Sequence, residues 1–357
     1  MNIQRLAVTG GAGFVGSNLA CSFRRRFPRM EVTAIDSLKR RGSELSLPRL
    51  REAGVSFVHG DIRCPDDLAA LPDFDLIIDC SAEPSVHAGT TGSPHYVLDT
   101  NLTGTIHCLE AARQRNAAFL FLSTSRVYPI APLNGIPFVE DETRFRWTAP
   151  DPPIPGLSER GIGEDFPLSG ARSFYGASKL ACELLIREYV ETCGMPALIN
   201  RCGVLAGPWQ MGKVDQGVIT LWVARHVFGK PLRYIGYGGR GKQVRDLLHV
   251  DDLFELIVLQ VASPSAWDGR IYNVGGGPEV SVSLCELTEL CRRETGREVP
   301  IEEVPATSAV DLRIYLSDSH RVETDFSWNP QRSPARIVHD IRSWIEENRE
   351  SLAQILG

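Results

Sequence analysis

The sequence predicts an α/β protein: a doubly wound parallel sheet with a smaller, interleaved C-terminal substrate domain. Three observations carry this. Short apolar runs at 6–9, 32–36, 55–59, 76–80, 119–123 and 197–200 alternate with helical patterns at 14–26, 65–71, 94–114 and 172–192. That alternation is the mark of right-handed βαβ crossovers with helices on both faces of a sheet. The first run leads directly into a glycine-rich turn, and the length of 357 residues suits two domains rather than one.

Composition narrows the function classes. With 38 Lys+Arg against 44 Asp+Glu, the net charge is −6, whereas a protein that grips nucleic-acid phosphates shows a basic bias. No apolar run approaches the roughly 18 residues of a membrane span. Residues 1–5 lead straight into the first strand-like run, so a cytoplasmic location is expected. The nine cysteines are scattered without a Cys-x-x-Cys pair, and the eight histidines are equally dispersed. Reduced, buried thiols and no metal site are expected.

The first element decides the cofactor. Leu6-Ala-Val-Thr-Gly-Gly-Ala-Gly-Phe-Val-Gly16 reads as strand, turn and helix, with Gly10, Gly13 and Gly16 spaced for a Rossmann-type dinucleotide turn. The first glycine permits the bend, the second admits a pyrophosphate to the backbone, and the third lets the helix pack on the sheet. The amides at that helix N-terminus, around Phe14 and Val15, would hold the phosphates. Asp36 ends the second strand, twenty residues beyond Gly16, where a carboxylate binds ribose hydroxyls and repels a 2′-phosphate. NAD is therefore expected rather than NADP, although Lys39 and Arg40 follow closely and could soften that preference. Capping of a helix is the competing role for Asp36. Asp61 and Ile62 after the third strand would flank the adenine, and Ser81 and Ala82 after the fourth would pass under the pyrophosphate and ribose.

The fifth strand and the helix after the long loop supply reactive groups. Tyr175-Gly-Ala-Ser-Lys179 places a phenol and an ammonium on one helix face. An ammonium one turn away favours the phenolate, which otherwise forms only near pH ~10. Thr124 ends the fifth strand, where a hydroxyl could meet the same substrate oxygen, with Ser125 beside it. A solvated helix pair is the competing reading of Tyr175 and Lys179. The stretch 129–172 has no clear period and holds 8 of the 23 prolines; a lid over the site is the expected role for so long a loop. Beyond it the pattern loosens, with glycine turns at 236–241 and 275–277 and a last helix near 334–350. The expected division is 1–203 with 246–276 for NAD, and 204–245 with 277–357 for the substrate.

With these residues in order, the chain resembles the extended short-chain dehydrogenases/reductases of the nucleotide-sugar epimerase and dehydratase family, over nearly its whole length. The resemblance implies Thr124, Tyr175 and Lys179 as catalytic residues, Asn101 as a structural and cofactor-contacting asparagine, a tightly held NAD and a nucleotide-diphosphate sugar as substrate. It further implies a homodimer or homotetramer built through helices 94–114 and 172–192. Val244-Arg-Asp-Leu-Leu-His-Val-Asp251 resembles the family's phosphate-binding stretch, and Trp328-Asn-Pro330 its late turn. His249 is expected to be structural.

Dehydratases of this family carry an Asp-Glu pair directly after the threonine, where this chain has Ser125-Arg126. Without that carboxylate, elimination lacks its proton carrier, and epimerisation is expected. Finer features resemble one subgroup, the CDP-paratose (CDP-tyvelose) 2-epimerases: Lys39-Arg-Arg-Gly-Ser-Glu-Leu45, Asn200-Arg-Cys-Gly203, Trp209-Gln-Met-Gly-Lys-Val-Asp-Gln-Gly217 and Gly241-Lys-Gln-Val-Arg-Asp246. Asp311-Leu-Arg313 also matches, with Ser308 where that subgroup has an arginine. The resemblance implies Trp209, Gln210, Gln216 and Gln243 near the sugar or base, with Arg245 and Arg313 clamping the diphosphate. Core packing is the alternative for Trp209 and a surface ion pair for Arg245. A UDP-sugar 4-epimerase, a dehydrogenase or reductase with net hydride transfer, and a non-catalytic NAD sensor are the remaining alternatives.

Overall fold

A computed structural model of the chain describes residues 3–212 and 216–357. The chain divides into two compact units: Met1–Val127 with Ser173–Arg201 and Leu253–Tyr272, and Tyr128–Arg172 with Cys202–Asp252 and Asn273–Gly357.

The first unit is built on a seven-stranded sheet. Its strands are β1 (Arg5–Thr9), β2 (Glu31–Asp36), β3 (Ser56–His59), β4 (Leu76–Asp79), β5 (Ala118–Thr124), β6 (Ala197–Cys202) and β7 (Asp268–Val274), in the order β7–β6–β5–β4–β1–β2–β3. β1 pairs in parallel with β2 on one side and β4 on the other. The loops leaving β1 and β4 therefore diverge, which opens the crevice where open α/β sheets bind ligands. Every residue of β4 and β5 is buried, as central strands of a sheet covered on both faces must be. One face packs Ile77, Phe119, Phe121 and Ile199 against Cys182 and Ile186.

Two helices position candidate residues. Phe174–Cys193 starts at Ser173, whose hydroxyl accepts from Gly176 N at 3.2 Å, and stops at left-handed Gly194. The expected single helix over 94–114 is interrupted: His95–Leu98 and Gly104–Gln114 flank a π turn, Asp99–Thr103. Wide turns of this kind frequently sit at functional sites, and this one carries Asn101.

The second unit centres on Val244–His249, which pairs with Val204–Ala206, Ser281–Ser283 and Ile314–Tyr315. Helices Val218–Phe228, Leu284–Thr295 and Pro334–Glu347 pack on one another; the sequence pattern marked only the last.

The stretch 128–172 belongs to this second unit, a correction to its expected place beside the first sheet; the run to Asp252 does also. Its hydrogen bonds give the reason. Ile162 N donates to Leu316 O at 2.8 Å, Asp318 N to Ile162 O at 2.9 Å, and Phe145 N to Lys242 O at 2.9 Å. The stretch holds a short helix, Ile130–Asn134, and the strand pairs Phe138–Glu140 with Phe145–Trp147 and Leu157–Ser158 with Gly161–Ile162. These bonds tie it down along its length, which does not suit a swinging lid.

Among the described residues no helix is long and apolar enough to cross a membrane, and no group of three or more His, Cys, Asp or Glu could hold a metal ion. The nine cysteines are free thiols.

Candidate active site

The glycine turn is packed too tightly for side chains. A Cβ on Gly16 would lie 2.2 Å from Gly10 O, and one on Gly10, whose φ is +59°, would lie 2.9 Å from Cys80 O. Gly11, which the spacing argument did not single out, would put a Cβ 2.6 Å from that of Ala34. The helix that follows, Phe14–Arg26, has Gly13 as its cap, no side-chain cap bond and no acidic residue in its first turn. Its leading amides, those of Phe14 and Val15 included, have no partner within the helix.

Asp36 reaches into this turn. Its Oδ2 accepts from Ala12 N at 3.1 Å and its Oδ1 from Leu38 N at 2.8 Å. Burial pushes the carboxyl above its ordinary range, opposed by the amides of Leu38, Ala12 and Gly13. No helix begins directly after Asp36, so it caps none of its own; it braces the glycine turn instead. Lys39 Nζ sits 3.4 Å from the centre of the Tyr96 ring, and Arg40 O accepts from Ser43 N and Oγ. Asp61 is engaged by Arg63, with Nη2 to Oδ2 at 2.6 Å, and that guanidinium holds its carboxyl below the usual range. Ile62 is buried against Gly104. Ser81 N donates to Asp79 Oδ1 at 3.1 Å, and Ala82 is half-buried.

Asn101 ties this loop to the helix bearing Tyr175. Its Oδ1 accepts from Glu83 N at 2.7 Å, while Nδ2 donates to Glu83 O at 3.1 Å and to Ser178 Oγ at 3.2 Å. One residue further on, Lys179 is 2 % exposed. Its Nζ donates to Leu122 O at 3.0 Å and lies 4.2 Å from the Phe121 ring centre. Lys179 is thus docked two residues before Thr124 on β5. Thr124 and Ser125 are buried, Thr124 Oγ1 accepts from Arg126 N at 3.2 Å, and the Tyr175 helix packs on the turn Ser125–Val127. Tyr175 itself is half-buried.

In the second unit the remaining candidates are spread over several elements. Arg245 pairs with Asp311, and Arg313 lays its guanidinium 3.9 Å from the centre of the Phe138 ring, with Nη1 donating to Asn134 O at 3.0 Å. Ser308 O accepts from Asp311 N at 3.0 Å, a backbone contact in place of the arginine of the subgroup. Gln243 Nε2 donates to Ile235 O at 2.9 Å, and its buried Oε1 has no partner among the described residues. Gln210 is committed internally: Nε2 donates to Leu205 O at 3.1 Å and Oε1 accepts from Thr220 Oγ1 at 2.8 Å. Trp209 is half-buried on Trp344, at a left-handed φ of 73°. Gln216 is half-buried, and Lys213, Val214 and Asp215 of the same motif lie outside the described residues. His249 is buried, with Nδ1 accepting from Asp251 N at 3.1 Å; burial lowers its pKa.

Comparison with known proteins places this geometry. The model of the NAD dependent epimerase/dehydratase family matches residues 6–275. The chain belongs to that family. It is 31 % identical over 351 residues to CDP-paratose 2-epimerase of Salmonella typhi, covering 96 % of this chain and 99 % of that one. It is 32 % identical over 345 residues to a dTDP-glucose 4,6-dehydratase of Xanthomonas campestris, covering 90 % and 88 %. Among solved structures, a double mutant of a dTDP-glucose 4,6-dehydratase from Streptomyces venezuelae with NAD bound superposes with a TM-score of 0.78 at 28 % identity, covering 98 % of this chain and 99 % of that one.

The epimerase/dehydratase family is NAD-dependent, and the residues present fit that cofactor. The turn 10–16 is a cradle that Cβ atoms would fill, it opens onto uncapped helix amides, and Asp36 stands at the end of β2.

Two buried clusters escaped the sequence reading. Asp79 accepts from Thr9 Oγ1 at 2.6 Å and Thr105 Oγ1 at 2.9 Å as well as from Ser81 N. Glu183 pairs with Arg201, Nη2 to Oε2 at 2.7 Å, both nearly fully buried. Their partners are distant along the chain; the only sequence signal is a charged residue within an apolar stretch.

Proposed function

We propose that this protein is an NAD-dependent nucleotide-sugar epimerase that inverts C2 of a CDP-linked (deoxy)hexose through a transient keto sugar. The observation that carries the reaction type is the pair following Thr124. Ser125 and Arg126 leave the candidate catalytic hydroxyl without a neighbouring carboxylate, so the site has the groups for moving one proton at one carbinol but no evident acid for expelling water. The motifs shared with CDP-paratose 2-epimerases, and the similarity to that enzyme of Salmonella typhi over 96 % of the chain, favour C2 and cytidine over the other possibilities.

Gly10, Gly13 and Gly16 with the amides of Phe14 and Val15 would hold the pyrophosphate, and Asp36 the adenosine ribose. NAD, when bound, supplies the capacity to take and give back a hydride. Tyr175, as phenolate, removes the proton from the C2 hydroxyl and returns it after inversion. Thr124 donates a hydrogen bond to the same oxygen and stabilises it as it becomes a carbonyl. The Lys179 ammonium, docked on Leu122 O, favours the phenolate. Arg245 and Arg313 would bind the diphosphate so that the keto sugar turns over without leaving.

Incubation with a panel of CDP-, UDP-, GDP- and dTDP-sugars, followed through the ring protons by NMR, tests the proposal. Inversion at C2 with no net change in nicotinamide absorbance is expected, and Tyr175→Phe abolishes it. Inversion at C4 alone, loss of water, or net reduction of NAD would each overturn it.

A further inference from the structure

We infer that the buried Glu183–Arg201 pair, tied to β5 through Ser123, is a positioning device for Thr124, Tyr175 and Lys179; the inference rests on the proposed chemistry of those three residues. Tyr175, Lys179 and Glu183 recur at four-residue spacing on one helix and so share a face. Glu183 is 1 % exposed and Arg201 2 %. The guanidinium grips the carboxylate with two prongs, Nε to Oε1 at 3.0 Å and Nη2 to Oε2 at 2.7 Å, and Ser123 Oγ donates to Oε1 at 2.5 Å.

Consecutive residues of β5 are therefore each committed. Leu122 O holds Lys179 Nζ, Ser123 Oγ holds Glu183, and Thr124 follows. The helix is pinned to the strand at two points one helical turn apart, and Arg201 extends the second point to the next strand, β6. A buried ion pair gives no more stability than well-packed apolar residues of the same volume, and often less. What this pair supplies is register. A slide of the helix along β5 would break the Ser123 bond and the Lys179 bond together, and would shift Tyr175 relative to Thr124. Charged groups facing the region are Lys179 on the same helix, Arg201 on β6 and Asp79 on β4; Lys179, Asp79 and Glu183 all act on the buried Cys182 thiol.

The test uses NAD-loaded protein carrying Ser123→Ala, and separately Glu183→Gln with Arg201→Met. The double variant removes both charges together and leaves no lone buried ion. Each is compared with Tyr175→Phe in the wild-type background. The expected result is a protein that stays folded, with a circular dichroism spectrum like that of the wild type. On the nucleotide sugar that the wild type turns over, kcat falls about ten- to a hundred-fold while KM stays within about two-fold. A merely structural pair would lower the melting temperature and leave kcat in place; that result overturns the positioning role alone. If Tyr175→Phe in the wild-type background left turnover unchanged, the catalytic reading would fall, and the inference with it.

Discussion

Arg245 Nη2 lies 2.9 Å from Asp311 Oδ1 and 2.6 Å from Leu312 O, while its Nη1 donates to Val244 O at 2.8 Å. The surface ion pair and the phosphate clamp weighed for this arginine are thus not exclusive. Asp311 and two carbonyls hold the guanidinium plane in one orientation, which reduces the ordering cost of binding.

Arg245→Ala should therefore raise KM for the nucleotide sugar about ten- to a hundred-fold with a smaller effect on kcat. Asp311→Asn should raise it less, because the arginine stays but is held by carbonyls alone. Arg245→Lys should behave like the alanine variant. If binding titrations of all three matched the wild type, the clamp would be located elsewhere.

Asp36 both braces the glycine turn, through Ala12 N, and stands at the end of β2. Asp36→Asn keeps an acceptor for one amide but loses the charge that repels a 2′-phosphate. NAD should bind about ten-fold more weakly and NADP comparatively better, as calorimetric titration of each cofactor would show. An unchanged ratio of the two affinities would confine Asp36 to the brace.

What could be read from the sequence divides along a physical line. Gly10, Gly13 and Gly16, Asp36, and the Tyr175/Lys179 pair are spaced within one or two elements, so local periodicity is enough to single them out as candidates. The grip of Arg201 on Glu183, or of Asp79 on Thr9, joins residues 18 and 70 positions apart, and no local pattern records such a bond. The stretch 129–172 failed for a related reason. Its strands are two or three residues long, too short for an alternation of two to register, and Ile162 finds its partners at Leu316 and Asp318. The helix Leu284–Thr295 does carry a local signal, the Ser283/Glu286 capping box ahead of an amphipathic run, whereas Val218–Phe228 is buried nearly all round and offers no apolar stripe for a period to reveal.

Gly16 gives a sharp test of the cofactor cradle. Its backbone angle is one any residue could adopt, so the objection to a side chain is space alone: the Cβ would lie 2.2 Å from Gly10 O. Gly16→Ala must push the turn from the helix, at a cost of about 1–3 kcal/mol in overpacking. NAD affinity should fall by more than about ten-fold, since the same turn carries the amides proposed to hold the phosphates. Urea unfolding without cofactor, beside an NAD titration, separates the two effects. An alanine variant that binds NAD normally would mean that the turn tolerates the shift and does not cradle the pyrophosphate.

Asp246 links the second unit to pH. It is fully buried; Oδ2 accepts from Ser317 N at 3.2 Å and Gly277 N at 3.4 Å, while Oδ1 has no partner among the described residues. Gly275 backs onto it so closely that a Cβ there would lie 2.0 Å from Oδ2. Burial pushes its carboxyl from 3.8 up to about 6. The folded protein thus binds this proton more tightly than the unfolded chain. The stabilisation is complete below about pH 3.8 and is lost as pH rises through about 6. Its size is about 3 kcal/mol. Asp246→Asn removes the titration and keeps an uncharged side chain of nearly the same shape. Measured by urea unfolding, the wild type should lose about 3 kcal/mol relative to the variant between about pH 4 and about pH 8. Parallel stability curves over that range would mean that the carboxylate is ionised in the fold at little cost, its two amide donors compensating for the missing water.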